Sequence, residues 1–513
     1  MCLTCLKITS KMSKVTYRGY VIQKSSLTTD QLNALKYDLA ITPKESHMMK
    51  TVAKNTEKRI IVYRENEQKI YIPRFYGIQH YGEPELTELS QGLDIDVLFT
   101  QPLRDYQEKI INVYMNHVIS DGGISDGGIS GIKSGIKSGK GGGGILEVPC
   151  GAGKTIMALN ICSRLKKKTI ILVHKEFLLN QWIDRIRDFM PSARVGKIQG
   201  KIFDIEDKDI VIGMIQTIYD RPYPPNTFAS FGLTISDEVH RVGSEEFSKT
   251  LLKIVTPYML GISATVDRKD GLTELIYMFI GPKIYSETRK DDDGVQVRAI
   301  QYDHCDEKKY REEQRDFRGN IKYSTMINQI SDFEPRKVFL IRVLHDLIKE
   351  NSEKQIMVLS HKRDLLDYLE TEVNNSGFAT VGQYVGGMKP AALQESEGKQ
   401  IVLATYAMAA EALDIKSLNT LVMISPKTDI IQSVGRILRT RDTGKIIVDI
   451  VDSHDVFQNQ WKKRRAFYKK SMYGIKMIKV KDYVDMISST DTDSDSWTTV
   501  KTGVSKSQCQ IEL

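Results

Sequence analysis

The residues best suited to phosphate chemistry lie in one short segment, VPCGAGKT. It follows the mostly apolar run 145–147 and precedes the apolar run 156–159, an order that predicts a strand, a glycine turn and a helix. Backbone N–H groups of such a turn, together with the positive end of the helix, hold phosphate oxygens. The lysine can neutralise β- and γ-phosphates, and the threonine hydroxyl can ligate Mg²⁺. The candidate nucleotide-binding residues are Val148, Pro149, Cys150, Gly151, Ala152, Gly153, Lys154 and Thr155.

A pair of carboxylates, Asp237 and Glu238, follows the apolar residues of a predicted strand, 83 residues beyond Lys154 (237 minus 154). At the end of a parallel strand they would lie beside the phosphate loop. We expect Asp237 to hold Mg²⁺, and Glu238 to orient and deprotonate an attacking water. A pair of carboxylates at a solvated strand end is the alternative, which the phosphate loop upstream disfavours.

Two arginines in the segment QSVGRILR, Arg436 and Arg439, lie three residues apart and share one helical face. The planar guanidinium binds phosphate oxygens through two parallel hydrogen bonds, so both side chains can serve as arginine fingers toward a γ-phosphate. Gln432 begins the same segment and joins them as a candidate catalytic residue. The alternative interpretation is a pair of surface arginines in salt bridges.

Composition limits the possible classes of protein. The chain has 513 residues, 41% of them hydrophobic, which suffices for about three or four domains with sizeable cores. The sequence has neither a membrane-length apolar run nor a secretory leader, so an intracellular, soluble protein is expected. Its six cysteines are scattered, which favours reduced thiols over a zinc site. The net charge of +8 permits a polyanionic partner without requiring one.

Two series of short apolar runs alternate with helical patterns, which predicts two doubly wound, parallel-sheet α/β lobes. The expected strands are 145–148, 169–173, 209–213, 233–236 and 259–262, then 355–359, 380–384, 400–404, 420–424 and 445–450. A helix is expected over 105–119. The predicted domains are an N-terminal α+β domain (1–95), a first lobe (96–290), a charged and partly helical connector (291–335), a second lobe (336–455), a basic helical segment (456–487) and a disordered tail (488–513).

Three of these regions carry further expectations. Residues 121–144 form a repetitive, glycine-rich stretch that should behave as a flexible loop inserted into the first lobe. The basic segment, with aromatic side chains interleaved, is either a docked helix with a solvated basic face or a contact to a phosphate backbone. The N-terminal domain is either a module that grips substrate or a structural cap.

In order and spacing, the motifs over residues 100–450 resemble those of superfamily 2 helicases. In that comparison Arg104 and Gln107 match an adenine-reading segment, the phosphate loop and Asp237-Glu238-Val239-His240 match the two Walker motifs, and Ser263-Ala264-Thr265 matches the motif that couples hydrolysis to nucleic-acid contact. Segments 173–182 and 216–217 match strand-contacting motifs, and 404–405 with 411–414 match a motif of the second lobe, in which Ala412 replaces an expected glycine.

Within that superfamily the chain is most similar to the xeroderma pigmentosum group B-type DNA helicases and to the transcript-release helicases of poxviruses and giant viruses. The resemblance implies RecA-like lobes that close on ATP and Mg²⁺ and move along a phosphate backbone. The hydroxyls of Thr217 and Thr405 are expected to donate hydrogen bonds to the phosphate backbone of the nucleic acid. The alternative is that both are ordinary threonines at strand ends. An ATP-dependent helicase or translocase on DNA is the favoured function, and an RNA helicase and a non-enzymatic nucleotide-binding scaffold are the alternatives. The transcription machinery is a further expected partner. A viral origin would place the protein in the host cytoplasm or the virion.

Overall fold

The computed structural model describes residues 13–43, 59–119, 141–149, 151–239, 245–268, 271–287, 294–411, 415, 417–428, 430, 434, 444–488 and 497–499. The chain divides into two compact units, Met1–Thr288 and Arg289–Leu513. The first unit contains two sheets that matter for the site, and the second contains one.

The first unit begins with a small α+β domain. Its elements are β1 (Lys14–Thr16), β2 (Gly19–Gln23), α1 (Thr29–Asp38), β3 (Ala40–Ile41), β4 (Ile60–Ile61), β5 (Arg64–Glu65), β6 (Lys69–Ile72), α2 (Arg74–Tyr81) and β7 (Leu86–Thr87). Five of the strands form a sheet in the order β5-β6-β2-β1-β7, in which only the β1–β7 pair is parallel. Thr28 begins α1 with a capping box, because its hydroxyl accepts from the Gln31 amide and the Gln31 side chain accepts from the Thr28 amide.

A larger sheet follows in the same unit. Its elements are α3 (Asp105–Ile119), β8 (Gly143–Glu147), α4 (Lys154–Leu165), β9 (Thr169–Val173), α5 (Glu176–Phe189), β10 (Val195–Gln199), β11 (Ile202–Phe203), β12 (Ile210–Met214), α6 (Ile215–Asp220), β13 (Leu233–Asp237), α7 (Glu245–Leu251), β14 (Tyr258–Ser263), α8 (Thr273–Ile280) and β15 (Lys283–Ser286). The strand order is β11-β10-β12-β9-β13-β14-β8-β15, and all pairs except β10–β11 are parallel.

Both faces of this sheet are covered, as a parallel sheet requires. Buried side chains of α3, α4 and α5, among them Ile110, Leu159 and Trp182, fill one face. Side chains of α6, α7 and α8 fill the other face together with the N-terminal domain. The strands are continuous apolar runs for this reason, which is why the sequence pattern located them.

The N-terminal domain is attached at β8 and at the loop before β14. The buried guanidinium of Arg74 donates to the carbonyls of Thr256 and Pro257 at 3.0 and 2.8 Å. Phe75 lies so close to Gly143 that a Cβ built on that glycine would be 2.3 Å from its ring. The first strand of the larger sheet therefore accepts the domain only because a glycine stands there.

The second unit contains β16 (Gln296–Tyr302), α9 (Tyr323–Asp332), α10 (Glu334–Glu350), β17 (Ile356–Ser360), α11 (Arg363–Ser376), β18 (Val381–Tyr384), α12 (Pro390–Glu397), β19 (Ile401–Thr405), α13 (Tyr406–Glu411), β20 (Thr420–Met423), β21 (Ile446–Asp452), α14 (Asp455–Lys470), β22 (Gly474–Lys479), α15 (Val480–Ser488) and β23 (Thr498–Thr499). Its eight strands run in the order β18-β19-β17-β20-β21-β16-β22-β23, parallel throughout except for β22–β23. The predicted fold class, two RecA-like doubly wound lobes with a small N-terminal α+β domain, is confirmed.

The structure differs from the sequence predictions at three places. Residues 296–302, expected in a partly helical connector, form a strand between β21 and β22. Residues 474–479, expected in a helical segment, form β22, and residues 498–499 of the expected disordered tail pair with it. In residues 296–302 and 474–479, polar residues interspersed with apolar ones concealed the strand character, which pairing with neighbouring strands decides.

The glycine-rich insert lies mostly outside the described residues. Its last two residues, Gly143 and Gly144, are not part of a loop but the first residues of β8. The insert therefore ends earlier than the composition suggested, because both glycines are packed in the sheet.

Candidate ATP-binding and hydrolysis site

The predicted phosphate loop connects β8 to α4. Gly151 and Gly153 have φ of +82° and +83°, values in the left-handed region that side chains rarely adopt. The turn is closed by a hydrogen bond from the Ala152 amide to the Pro149 carbonyl at 3.3 Å. Lys154 is the first residue of α4, so the positive helix end faces the turn. Strand, turn and helix thus follow one another as the sequence predicted; Cys150 lies outside the described residues.

Val148 occupies the position where the general phosphate-loop pattern has a glycine. Its side chain is fully buried, and its amide donates to the Ser263 carbonyl at 2.9 Å. Val148 is therefore the end of the strand's hydrogen-bonded ladder rather than part of the exposed turn. A side chain fits there, because the close approach in this loop occurs at Gly153.

The first turn of α3 packs directly against the loop. Gln107 is 3% exposed. Its side-chain Nε2 donates to the Ala152 carbonyl at 3.0 Å, and its side-chain Oε1 accepts from the main-chain N–H of Arg104 at 3.0 Å. The Tyr106 hydroxyl donates to the same Ala152 carbonyl at 2.9 Å. Gln107 therefore positions the phosphate loop, and its expected contact with an adenine edge stays a prediction, as does that of Arg104.

Lys154, Asp237 and Glu238 are brought together by the strand order. The strand β13 ends at Asp237, and only β14 separates it from β8, which leads into the loop. The Lys154 Nζ lies 3.9 Å from a Glu238 carboxylate oxygen, and both side chains are largely buried. Glu238 has φ of +50°, unusual for a residue with a side chain and typical of functional sites.

The Asp237 carboxylate accepts a hydrogen bond from a side chain in a helix. Trp182 of α5 is 1% exposed, and its indole N–H donates to the Asp237 carboxylate at 2.9 Å. Burial, reinforced by the Glu238 charge, raises the pKa of Asp237 to about 6. The sequence comparison placed Trp182 in a strand-contacting motif, but the structure buries it and gives it a positioning role instead.

Thr155 and Asp237 are the oxygen donors that fit a magnesium ion. Mg²⁺ typically binds through one or two carboxylates and takes its other ligands from water and substrate phosphates. The described residues hold no cluster of three or more His, Cys, Asp or Glu side chains, so no metal site complete within the protein lies among them. A buried carboxylate with a raised pKa gains most from a cation, which agrees with Asp237 as a ligand.

The Ser263-Ala264-Thr265 segment is linked to the phosphate loop through two hydrogen-bonded strands. The Ser263 hydroxyl donates to the Thr265 carbonyl at 2.5 Å. Glu147, the last residue of β8, accepts from the Val266 amide at 2.8 Å and from the Ser286 hydroxyl at 2.6 Å. Burial acts to raise the pKa of Glu147, but Ser286, the Val266 amide and Lys283 outweigh it and lower that pKa. No sequence pattern marks Glu147 as part of this link, because its partners lie more than a hundred residues away in the chain.

Thr217 and Thr405 lie at or just after the carboxyl ends of parallel strands, one in each unit. Thr217 lies in α6, where its hydroxyl accepts from the Gly200 amide at 3.1 Å. Thr405 ends β19, and its hydroxyl is 3.5 Å from the Met408 amide that it caps. Both hydroxyls thus contact backbone, and both are half-buried. Their expected contact with nucleic acid stays a prediction. His240, Gln432, Arg436 and Arg439 lie outside the described residues.

The basic helical segment is docked along its aromatic face. In α14, Trp461 and Tyr468 are buried, and the Arg464 guanidinium binds the Asp449 carboxylate at 2.8 and 2.9 Å. Lys462 and Lys463 are exposed. The helix is docked, and contact of its exposed basic face with a phosphate backbone stays a prediction. Among the described residues, no helix has the length and apolarity needed to cross a bilayer.

The chain is similar in sequence to known families and proteins. The family described as type III restriction enzyme, res subunit, matches residues 100–268, and the helicase conserved C-terminal domain matches residues 340–441. A protein of Acanthamoeba polyphaga mimivirus, named as an ATP-dependent RNA helicase (L396), is 34% identical over 474 residues, which cover 90% of this chain and 86% of the relative.

Two further proteins are more distant. The DNA 3'-5' translocase XPB2 of Sulfurisphaera tokodaii is 25% identical over 352 residues, covering 60% of this chain and 77% of the relative. A solved structure of S. cerevisiae Dbp5 bound to RNA and ADP BeF3 is 13% identical with a TM-score of 0.47, covering 67% of this chain and 87% of Dbp5. From the two family matches and the mimivirus relative, we conclude that the chain belongs to the superfamily 2 helicases and is an ATP-dependent helicase.

Proposed function

We propose that the protein is a Mg²⁺-dependent ATPase that translocates along DNA. The observation that carries this proposal is the meeting of Lys154, Asp237 and Glu238 at one edge of a parallel sheet, beside a left-handed glycine turn. Phosphoryl transfer to water requires mainly positioning and charge neutralisation, which these groups supply.

The side chains divide the work by their chemistry. Lys154 would leave its 3.9 Å contact with Glu238 to neutralise the β- and γ-phosphates of bound ATP. Glu238, relieved of that cation, becomes a stronger base for the attacking water. Bound Mg²⁺, held by Thr155 and Asp237, would supply charge neutralisation between the phosphates.

Hydrolysis is transmitted, in this proposal, through the bonds that tie the loop to the Ser263–Thr265 segment. The Val148 amide and the Glu147 carboxylate contact Ser263 and Val266. A change in the loop on phosphate release therefore reaches a segment that lies in the same sheet. We propose Thr217 and Thr405 as backbone contacts on the strand, one in each unit, and Arg436 and Arg439 as the arginine fingers.

DNA is the proposed substrate because the motif sequences around Gly151, Asp237 and Ser263 resemble those of group B-type DNA helicases, and because XPB2 is a DNA translocase by name. RNA is the second candidate, favoured by the name of the 34% identical mimivirus relative. The same relative supports a viral setting. A role in transcription or repair stays a prediction from the sequence.

The catalytic assignment is tested by two substitutions in the full chain. Lys154→Ala should abolish ATP turnover, because the phosphates lose their cation. Glu238→Gln should lower kcat by about 10²- to 10⁴-fold, the usual contribution of a general base, while ATP binding is retained. Turnover is measured by phosphate release and binding by a fluorescent ATP analogue.

Glu274→Gln is the matched control, since Glu274 is exposed at the start of α8 and lies outside the matched motifs. It should behave like the unmodified chain. Unchanged turnover in Lys154→Ala would contradict the proposal, and lost ATP binding in Glu238→Gln would contradict the role of Glu238 as base.

The substrate is identified by ATPase stimulation with duplex DNA, single-stranded DNA, duplex RNA and single-stranded RNA at two salt concentrations. We expect DNA to stimulate most, and stimulation to fall as salt rises. Greater stimulation by RNA at both salt concentrations would replace DNA by RNA in the proposal.

A further inference from the structure

A cavity of about 990 Å³ lies within the first unit, between the N-terminal sheet and the loop after α6. None of the phosphate-loop residues that the structure describes lines it. The side chains that matter for its chemistry are Tyr17, Arg18, Arg64, Tyr71, Tyr223 and Lys253. The cavity therefore combines cations with aromatic rings, away from the site described above.

One of its cations is held in place by two rings. The Arg18 guanidinium carbon lies 5.3 Å from the centroid of the Tyr17 ring and 5.3 Å from that of Tyr71. Its Nε donates to the Tyr17 hydroxyl at 3.0 Å. A guanidinium has five N–H donors, so the remaining four are not used by this bond. Arg18 is thus positioned to donate without having to be ordered on binding.

The positive charge of the cavity is not balanced by its own carboxylates. Glu88 binds Lys14 at 2.7 Å, and Glu65 binds Lys24 at 2.6 Å and Lys36 at 2.8 Å. These three lysines do not line the cavity. Within the residues that the structure describes, neither Arg18 nor Arg64 forms an ion pair with a carboxylate. Arg18, Arg64 and Lys253 therefore give the cavity a net positive charge.

The cations also repel one another. Partial desolvation and the neighbouring Arg18 lower the pKa of Arg64, whose side chain is otherwise exposed, and burial and the neighbouring Arg64 lower the pKa of Lys253. Lys253 nevertheless stays in place, because its Nζ donates to the carbonyls of Ile218, Tyr219 and Arg221 at 2.7, 2.6 and 2.8 Å. Like charges that are held together are stabilised by an anion, and a phosphate is the anion that arginine pairs bind best.

The loop after α6 contributes an aromatic side chain to the same cavity. The Tyr223 ring is half-buried and is held by Phe203, tilted at 5.5 Å, by Phe228, edge-on at 5.1 Å, and by the Lys253 Nζ, 5.7 Å from its centroid. A fixed ring of this kind stacks on a nucleobase whatever the base is. Phosphate donors and an aromatic ring that line one cavity match the two parts of a nucleotide.

We propose that this cavity binds one nucleotide of a nucleic-acid strand, its phosphate against Arg18 and Arg64 and its base against Tyr223. The N-terminal domain thereby becomes part of the strand-binding surface. The proposal rests on the proposed function in one respect, namely that the strand being tracked supplies the nucleotide. A free nucleotide has the same chemistry and is the other possible source.

The test measures binding of fluorescently labelled oligothymidine by anisotropy, without ATP, across a range of salt concentrations. The variants are Arg64→Gln alone, whose exposed side chain leaves the sheet intact, and Arg18→Gln with Arg64→Gln. Arg59→Gln is the matched control, since Arg59 is exposed in the same domain but does not line the cavity. Unlabelled thymidine monophosphate is added as competitor in a separate arm.

We expect the double variant to bind about tenfold more weakly, with the salt slope reduced by about 0.7 for each lost phosphate contact. Ultraviolet crosslinking should attach the oligonucleotide to the peptide that contains Tyr223. Basal ATPase activity without nucleic acid should be unchanged, which separates this result from a failure at Lys154. Oligothymidine binding that is unaffected by either variant would overturn the proposal. Competition by the monophosphate as strong, per molecule, as by the oligonucleotide would overturn the strand as the source.

Discussion

At the scale of single residues, the site depends on side chains that orient its carboxylate and its glycine turn. Trp182 fixes the Asp237 carboxylate through a buried hydrogen bond, and Gln107 fixes the turn through the Ala152 carbonyl. Neither contact is implied by spacing, because 55 residues separate Trp182 from Asp237. The sequence located the charged groups of the site, but not the neighbours that orient them, since those depend on which helix packs on which strand.

The Trp182–Asp237 bond leads to a prediction about metal affinity. Trp182→Phe keeps an aromatic side chain but removes the indole N–H that orients the Asp237 carboxylate. Groups that orient a metal ligand typically contribute about 10- to 100-fold in affinity or activity. We therefore expect the Mg²⁺ concentration for half-maximal ATPase activity to rise by about tenfold or more, as measured by titration.

Trp461→Phe is the control, because Trp461 is equally buried but lies in α14 of the second unit. It should leave the Mg²⁺ requirement unchanged. An unaltered titration curve for Trp182→Phe would show that Asp237 does not need this bond to act on the metal.

At the scale of elements, the strand–turn–helix of the phosphate loop was predictable because each part has its own local signal. The buried strands β9, β12, β13, β17 and β19 were located to within one residue by their apolar runs. By contrast, β16 and β22 alternate polar and apolar residues, and their neighbours in the sheet decide their conformation. A half-buried strand rich in charge cannot be distinguished by composition from a linker or a basic helix.

The turn itself yields a prediction with a built-in control. Gly153→Ala places a Cβ 2.3 Å from the Gln107 amide nitrogen at a backbone φ of +83°. Gly377→Ala imposes comparable left-handed strain, with φ of +64°, but has open space around it. Strain alone costs about 1 kcal/mol, whereas the added Cβ at Gly153 must also displace the Gln107 side chain that holds the Ala152 carbonyl. We expect ATP binding to be lost in Gly153→Ala and retained in Gly377→Ala, as measured with a fluorescent ATP analogue. Equal losses would attribute the effect to backbone strain.

At the scale of the whole molecule, the sequence predicts that the catalytic groups come from both compact units. The lysine and the carboxylates belong to the first unit, and the sequence assigns the arginine fingers to the second. The two-lobed α/β architecture followed from the repeated apolar runs, whereas the contribution of Arg436 and Arg439 follows from the family resemblance and stays a prediction.

The division of labour between the units can be tested in the full chain. Arg436→Ala should retain ATP binding, since the cradle is in the first unit, but lower kcat by about 10³-fold or more, the usual effect of losing an arginine finger. Arg441→Ala, in the same stretch, should have a minor effect. Phosphate release and analogue binding are measured on both variants. Parallel loss of binding and turnover would place Arg436 in the fold or in the cradle instead.

The glycine at the start of β8 has a consequence for how this protein can be shortened. Phe75 rests where a side chain on Gly143 would stand, and Arg74 caps two carbonyls just ahead of β14. Removing residues 13–92 would expose the main chain at the start of β8, the strand that leads into the phosphate loop. The N-terminal domain therefore stabilises this strand by packing, and a shortened chain without the domain should hold the phosphate loop less firmly.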